Sequence, residues 1–255
     1  MGILERFSLT GKTALVTGGG TGIGRGFALA LAEAGADVAV AGRTAKTIEM
    51  VASEVEGLGR KALAIQADVR IKEQVDSMIN TVMDSWNQLD IGVNNAGIAS
   101  GIAAEEIDEP EWDRMIDTNL KGAFLCSQAE ARVMRPNRYG KIINNASMSG
   151  SIVNRHDQSH YNASKAALIH LTKSMAAEWA TDGIYVNTIS PGYIRTDMAD
   201  NPRTVEMHPA WLRDTPLGRL GDVEDLQGAL IFLASDTSNF VTGCDLIVDG
   251  GYTIW

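Results

Sequence analysis

The stretch Thr13-Ala14-Leu15-Val16-Thr17-Gly18-Gly19-Gly20-Thr21-Gly22-Ile23-Gly24 decides the fold. A short apolar run ends in glycines, and a helical pattern follows over about 23–34. A strand that feeds a glycine-rich turn and then a helix is the context a dinucleotide site demands. Glycine lets the backbone approach a pyrophosphate, while the helix start offers unpaired N–H groups and a favourable dipole. Gly18, Thr21, Gly22, Ile23 and Gly24 are therefore candidate cofactor contacts. Many βα connections use glycine for geometry alone, so the rest of the chain must carry part of the case.

Working outward, Gly35 stops the first helix as a typical residue beyond a helix end. Strand patterns follow at 37–41, 62–66, 91–94, 141–144, 185–189 and 245–249, with helical patterns at about 45–58, 72–86, 111–133, 161–180 and 223–233. This alternation predicts an α/β fold, a Rossmann-like, doubly wound parallel sheet of about seven strands. No linker or fixed repeat interrupts it, so residues 1–255 read as one domain. The irregular stretch 192–221 is too long for an ordinary connection and reads as a substrate lid.

Composition narrows the class. At 45% hydrophobic residues the chain can bury a large core without disulfides or metals. A net charge of −10 argues against nucleic acid or an anionic membrane as partner. No apolar run approaches the ~18 residues of a membrane span. The start lacks a secretory signal, and Gly2 is followed by no Ser or Thr where a lipid anchor needs one. Cys126 and Cys244 stand alone, as reduced thiols of a cytoplasmic protein do. His156, His160 and His170 lack metal-ligand company, and no metal is expected.

Tyr161-Asn162-Ala163-Ser164-Lys165 carries the chemistry. Residues at i and i+4 share a helix face, so Lys165 can reach toward Tyr161. A phenol titrates near 10, and a neighbouring cation is expected to lower that value. A tuned tyrosine beside a dinucleotide suits reversible exchange between alcohol and carbonyl, the side chain handling the proton and the cofactor the hydride.

The spacing Thr17-Gly18-x-x-x-Gly22-x-Gly24 resembles the short-chain dehydrogenase/reductase family, and the resemblance runs along nearly the whole chain. Asn94-Asn95-Ala96-Gly97 looks like the family's segment after the fourth strand, with Asn95, Ala96 and Gly97 beside the cofactor. Asn119 matches its catalytic-site asparagine, which would anchor a water linking Lys165 to solvent. Ser147 matches the serine that holds the reacting oxygen. Its separation from Tyr161 is about one residue longer than the commonest spacing, which makes Ser149 the alternative. Tyr161 and Lys165 match the Tyr-x-x-x-Lys pair, in which Lys165 also binds the nicotinamide ribose. Pro191, Gly192, Ile194 and Thr196 resemble the turn over the nicotinamide, and Asp68-Val69 the pair beside the adenine.

In NAD-preferring relatives an Asp ends the second strand. Here Gly42 stands there, followed by Arg43 and Thr44. Arg43 offers a cationic fork to a 2′-phosphate, so NADPH and NADP+ are expected ahead of NADH and NAD+. The polar loop with Asn154, His156 and Gln158 offers hydrogen-bonding groups that suit a polyhydroxylated substrate, as they also suit plain solvation. Ser147-Met148-Ser149-Gly150, Ile152-Val153-Asn154, Pro216-Leu217-Gly218-Arg219 and the ending Asp249-Gly250-Gly251-Tyr252-Thr253 resemble the branch of sugar-alcohol dehydrogenases and ketose reductases. Met207, His208 and Trp211 fall in the lid-like stretch, where two of the three are expected to pack the loop itself. The resemblance implies a homotetramer and a small carbonyl or alcohol substrate, most naturally a polyol/ketose pair. A 3-oxoacyl-(acyl carrier protein) reductase is the enzyme alternative, and a non-catalytic dinucleotide-binding regulator is the alternative of another class.

Overall fold

The computed structural model describes residues 2–153, 157–196 and 202–255, with only the backbone of Pro202 and Arg203. Its strands are β1 (Thr13–Thr17), β2 (Asp37–Gly42), β3 (Ala62–Gln66), β4 (Ile91–Asn94), β5 (Gly140–Asn145), β6 (Ile184–Pro191) and β7 (Asp245–Val248). They form a seven-stranded sheet in the order β3-β2-β1-β4-β5-β6-β7, and every pairing is parallel. The strand order reverses between β1 and β4, the place where open α/β sheets bind ligands at their carboxyl ends. The helices are α1 (Gly22–Glu33), α2 (Ala45–Gly57), α3 (Lys72–Trp86), α4 (Glu109–Ile116), α5 (Gly122–Met134), α6 (Ser159–Trp179), α7 (Pro202–Val205), α8 (His208–Asp214) and α9 (Glu224–Ala234).

Successive strand residues point to opposite faces, and both faces are apolar. Ala14 and Val16 of β1 join Val38, Val40, Ile91 and Val93 under Phe27 of α1, Ile48 of α2 and Leu230 of α9. Leu15 between them faces the other way, with Ala39, Ala41 and Ile142 under Val82 of α3, Cys126 of α5 and Met175 of α6. Full burial of each Val, Leu, Ile or Phe side chain contributes about 1.5–3 kcal/mol. The edge strands β3 and β7 are only partly covered.

Two expectations need correction. The helix read as continuous over 111–133 is α4, then a π-helical turn Asp117–Lys121, then α5. Gly122 donates its N–H to the Asp117 carbonyl there, and a Cβ on Gly122 would stand 2.7 Å from Val69. The wider turn buries Asn119 beside Ile98, as π-turns at functional sites often do. The stretch 192–221 is not irregular throughout, because it holds α7 and α8. At 4 and 7 residues these are too short for a 3.6-residue period to register.

Between α5 and the sheet the core is polar. The Asn94 amide donates among Ser127 Oγ (3.0 Å), Glu130 Oε2 (3.1 Å) and Asn144 Oδ1 (3.1 Å), and Asn144 donates to Thr172 Oγ1 of α6 (2.9 Å). Glu130 is fully buried and fits because residue 92 is glycine, where a Cβ would lie 2.3 Å from its carboxyl carbon. Burial pushes the Glu130 carboxyl up to about 7, and the bond from Asn94 only partly opposes this. Between an ordinary value of 4.5 and about 7 the folded protein therefore keeps a proton that the unfolded chain releases. Stability falls as pH rises through that window and stays lower above it. Relative to Glu130→Gln, the wild type is expected to lose up to about 3 kcal/mol between the two ends of the window. Urea unfolding across pH reads this out, and parallel curves for the two proteins would show that Glu130 is already ionised in the fold.

Candidate active site

Because the strands are parallel, their carboxyl ends lie along one edge. The loops there carry nearly every residue singled out from the sequence. After β1, Gly18 takes a left-handed φ of 62°. A side chain there would stand 2.9 Å from Ala96 Cα, and one on Gly24 would stand 2.2 Å from the Gly18 carbonyl oxygen. Glycine is thus required for the turn to lie flat against the β4 loop and for α1 to start close beneath it. Thr21 precedes α1 without capping it through its side chain, and no acidic residue occupies the first turn. The first-turn N–H groups beside Gly22, Ile23 and Gly24 remain suited to an anion. Thr196 lies across the turn, with its methyl 3.5 Å from where a Gly22 Cβ would be.

Toward β3 the lining is cationic. Arg43 is exposed at the end of β2, and its carbonyl accepts from Gln66 Nε2 (2.9 Å), which fixes the turn into Thr44 and α2. After β3, both oxygens of Asp68 are taken by Arg70, at 3.0 Å and 2.6 Å. The Arg70 hydrogen bond, followed by the charges of Arg70 and Arg43, holds the Asp68 carboxyl below its usual range. Val69 is buried against Gly122.

On the other side of β1 the polar groups interlock. Asn95 donates to the carbonyls of Thr17 (3.2 Å) and Gly18 (3.1 Å), and its Oδ1 accepts from Asn145 (2.8 Å). The Asn145 carbonyl accepts from Lys165 Nζ at 2.8 Å. A Cβ on Gly97 would sit 3.4 Å from Asn119 Oδ1 and 3.7 Å from Lys165 Nζ, so a larger residue there would press on both. Asn119 donates to the Ile98 carbonyl (2.9 Å) and accepts from the Ile98 N–H (2.8 Å), clamping the loop after β4. It also donates to Ser164 Oγ (3.2 Å), which in turn donates to the Tyr161 carbonyl (2.7 Å).

The Ser147 side chain acts on the Tyr161 phenol and favours its ionised form. That favours Ser147 over Ser149, whose N–H instead donates to Ser147 Oγ (3.2 Å) within the turn Met148–Gly150. Gly150 lets this turn rest on the Lys165 backbone, which brings Ser147 to the face of α6. The phenol departs from expectation. Burial raises the pKa of Tyr161, and what opposes it is the Ser147 side chain rather than Lys165. Lys165 Nζ lies 5.8 Å from the ring centroid, directed at Asn145. Burial also pushes the ammonium down to about 8.

Pro191 ends β6, and the Gly192 N–H donates to the Val248 carbonyl (3.0 Å). Ile194 is buried and bridges to Gly221. Trp211 stacks on Tyr193 at 3.9 Å and touches His208 at 5.2 Å, so both pack the loop as expected, while Met207 is exposed. Asn154 and His156 lie outside the described residues; Gln158 immediately precedes α6. Among the described residues no cluster could hold a metal ion, and no helix is long and apolar enough to cross a membrane. Cavities of about 320 Å³ behind α1 and about 150 Å³ beside Tyr193 do not include Tyr161.

The glycine cradle, the uncapped helix start and the arginines after β2 and β3 fit a phosphate-bearing dinucleotide lying from β3 to β5. Comparison with known proteins agrees. A sequence profile described as Enoyl-(Acyl carrier protein) reductase matches residues 18–253. The chain is 43% identical to Galactitol 2-dehydrogenase of Rhizobium johnstonii over 100% of both chains. It is 42% identical to a Probable NADP-dependent mannitol dehydrogenase of Yarrowia lipolytica, over 98% of this chain and 90% of that one. Identity is 44% to a 3-oxoacyl-(acyl-carrier-protein) reductase of Staphylococcus aureus, over 94% and 97%. A crystal structure of a short-chain type dehydrogenase/reductase from Mycobacterium marinum matches with a TM-score of 0.96 at 47% identity, over 99% of each chain. The chain belongs to the short-chain dehydrogenase/reductase family.

Within this short-chain dehydrogenase/reductase, three polar residues were not singled out from the sequence: Asn145, Arg70 and Glu130. Asn145 had a signal. Asn144-Asn145 repeats Asn94-Asn95 on the neighbouring strand, and the register pairs Asn94 with Asn144. Arg70 follows Asp68-Val69 directly, but nothing local shows that it turns back onto Asp68. Glu130 in a helical pattern reads as a surface residue until the fold buries it.

Proposed function

We propose that the protein is an NADP(H)-dependent oxidoreductase interconverting a secondary alcohol and a ketone, with a polyol and its ketose as the substrate pair. The observation that carries the chemistry is the buried Lys165 ammonium, held on the Asn145 carbonyl at 2.8 Å one helical turn from Tyr161, whose phenol feels the Ser147 hydroxyl. The nicotinamide, when bound, supplies or accepts the hydride. In reduction Tyr161 gives its hydroxyl proton to the carbonyl oxygen, and in oxidation it takes the proton from the alcohol. Its raised pKa keeps that proton in place until the substrate oxygen calls for it. Ser147 hydrogen-bonds the same oxygen and stabilises the charge developing there. Lys165, charged below about pH 8, would hold the cofactor ribose. Asn119 keeps the loop after β4 in register with this pair and anchors the water toward Lys165. Gly18, Thr21, Gly22, Ile23 and Gly24 hold the pyrophosphate. Asp68, Val69, Asn95, Ala96 and Gly97 flank the cofactor, and Pro191, Gly192, Ile194 and Thr196 cover the nicotinamide.

Residues 192–221 serve as the substrate lid, and the protein works as a cytoplasmic homotetramer. The polyol assignment rests on the full-length likeness to enzymes named for galactitol and mannitol. A 3-oxoacyl reductase of equal similarity supplies the rival. A hydrogen-bonding pocket discriminates strongly against analogues that leave its polar groups unpaired. A five- or six-carbon ketose is therefore expected to exceed an unfunctionalised cyclic ketone in kcat/KM by more than about 100-fold. An acetoacetyl thioester that outperforms every ketose would transfer the assignment to acyl-carrier reduction.

Tyr161→Phe is expected to lower kcat by about 10²–10⁴-fold while leaving the Kd for NADPH unchanged. A near-normal kcat would remove Tyr161 from proton transfer. Arg43→Ala is expected to raise the KM for NADPH by about tenfold or more, as loss of a charged hydrogen bond of about 1.5–3 kcal/mol implies. The KM for NADH should stay constant, and equal effects on both cofactors would refute the 2′-phosphate contact.

A further inference from the structure

We propose that Ser100 and His160 form a positioning pair that fixes residues 98–102 as one wall of the substrate cleft. The proposal rests on the reading of Tyr161 as the proton-transfer residue. After β4 the chain runs through these residues without regular structure. At Ile98 both backbone groups are held by Asn119. Two residues later the Ser100 hydroxyl lies 2.5 Å from Glu111 Oε1 and 2.9 Å from His160 Nε2. Glu111 belongs to α4 and His160 to the first turn of α6, immediately before Tyr161.

The direction of these bonds follows from charge. Arg114 donates twice to Glu111, at 2.6 Å and 2.7 Å, and holds its carboxyl down to about 2, with Ser100 contributing next. An ionised carboxylate only accepts, so it takes the single hydroxyl proton of Ser100. Ser100 Oγ can then only accept from His160, which places the imidazole hydrogen on Nε2. The chain of bonds is ordered: His160 to Ser100 to Glu111, with Arg114 behind. His160 Nδ1 is left as a buried acceptor with no partner, in a side chain that is fully buried. A lone buried acceptor is unfavourable, so core packing alone gives no reason for a histidine here, and the bond to Ser100 does.

A third attachment completes the wall. The Ile102 N–H donates to the Asp157 carbonyl at 2.7 Å, and Asp157 holds a left-handed φ of 67°, a strained conformation for a residue other than glycine. Residues 98–102 are thus tied to the π-turn carrying Asn119, to α4, and to the entry and first turn of α6. Each tie refers the wall to the helix that carries Tyr161. The wall determines where a substrate's carbon skeleton rests relative to that hydroxyl, while the cofactor turn lies on the far side of Asn95. Small displacements of a bound substrate lower productive capture sharply.

The test compares Ser100→Ala, His160→Ala and His160→Gln. The glutamine amide restores an N–H donor near the place of Nε2. Ser100→Ala and His160→Ala are expected to raise the KM for the carbonyl substrate about tenfold. Their kcat should stay within about threefold, and the KM for NADPH should not move. Amide hydrogen exchange of 98–102, measured on the protein alone, should accelerate in both, and His160→Gln should recover both readouts. A matched fall in kcat with a rise in the KM for NADPH, unchanged exchange, or no recovery by glutamine would each overturn the proposal. If the wild type turns over no ketose, the polyol reading fails by itself. The kinetics then use an acetoacetyl thioester, and the exchange measurement needs no substrate.

Discussion

The hydrogen bond from the Lys165 ammonium to the Asn145 carbonyl, at 2.8 Å, is the constraint on which the site depends. A buried ammonium is tolerable only where fixed acceptors replace water. The carbonyl is available because Asn145 is the last residue of β5 and lies beyond the pairing with β4, which ends at Asn94 and Asn144. The same residue's amide engages Asn95, which binds the carbonyls of Thr17 and Gly18. The cation on α6 is thereby located against the glycine turn after β1 by contacts of fixed geometry. Shifting α6 along its axis would strand the charge, so Tyr161 and Lys165 keep their place beside the glycine turn.

Strand alternation builds a second layer behind the first. Asn95 and Asn145 reach forward to the site, while Asn94 and Asn144, one residue earlier, turn back to Ser127, Glu130 and Thr172. The parallel register sets the two Asn-Asn pairs side by side. The rear network ties α5 and α6 to the strands just where their ends must not move. A buried polar network of this kind rigidifies when its members are satisfied. Asn94 Oδ1 and Glu130 Oε1 have no partner within it, and burial keeps the Glu130 carboxyl protonated toward neutral pH. Neutrality is what lets so large a polar group sit against Gly92.

What the sequence made legible is local or periodic. The strand–glycine–helix run, the alternation of elements and the Tyr161/Lys165 pair depend on spacings of one to four residues, and all appear in the fold. The π-turn at Asn119 did not show, because a single wide turn barely disturbs helical periodicity. The sign of the Tyr161 shift did not show either. Spacing puts Lys165 on the same helix face, but only the end of β5 determines that its ammonium extends past the ring to a carbonyl. Likewise, the choice between Ser147 and Ser149 turns on how Gly150 seats the intervening turn on α6, a contact between distant segments. Residues acting through neighbours remote in sequence, such as Glu130 and His160, carry little signal of their own.

Electrostatics resolves an apparent conflict between the chain's net charge of −10 and the polyanionic cofactor proposed for it. At physiological salt, exposed charges are screened over about 8 Å. Carboxylates scattered over the surface therefore count for little at the site, and what lies within the screening length decides. At the β2 and β3 ends those groups include Arg43, Arg70 and Asp68, with Asp117 acting on Arg70 from the π-turn while paired to Lys121. Asp68 already gives both oxygens to Arg70 and is further stabilised by Arg43. Its charge is spent on holding an arginine in place, so a phosphate arriving there meets a local excess of positive charge. Farther along the same rim, Arg114 and Glu111 repeat the arrangement, with the carboxylate turned to Ser100. In both places an ion pair orients a neighbouring polar group: an arginine after β3 and the Ser100 hydroxyl after β4.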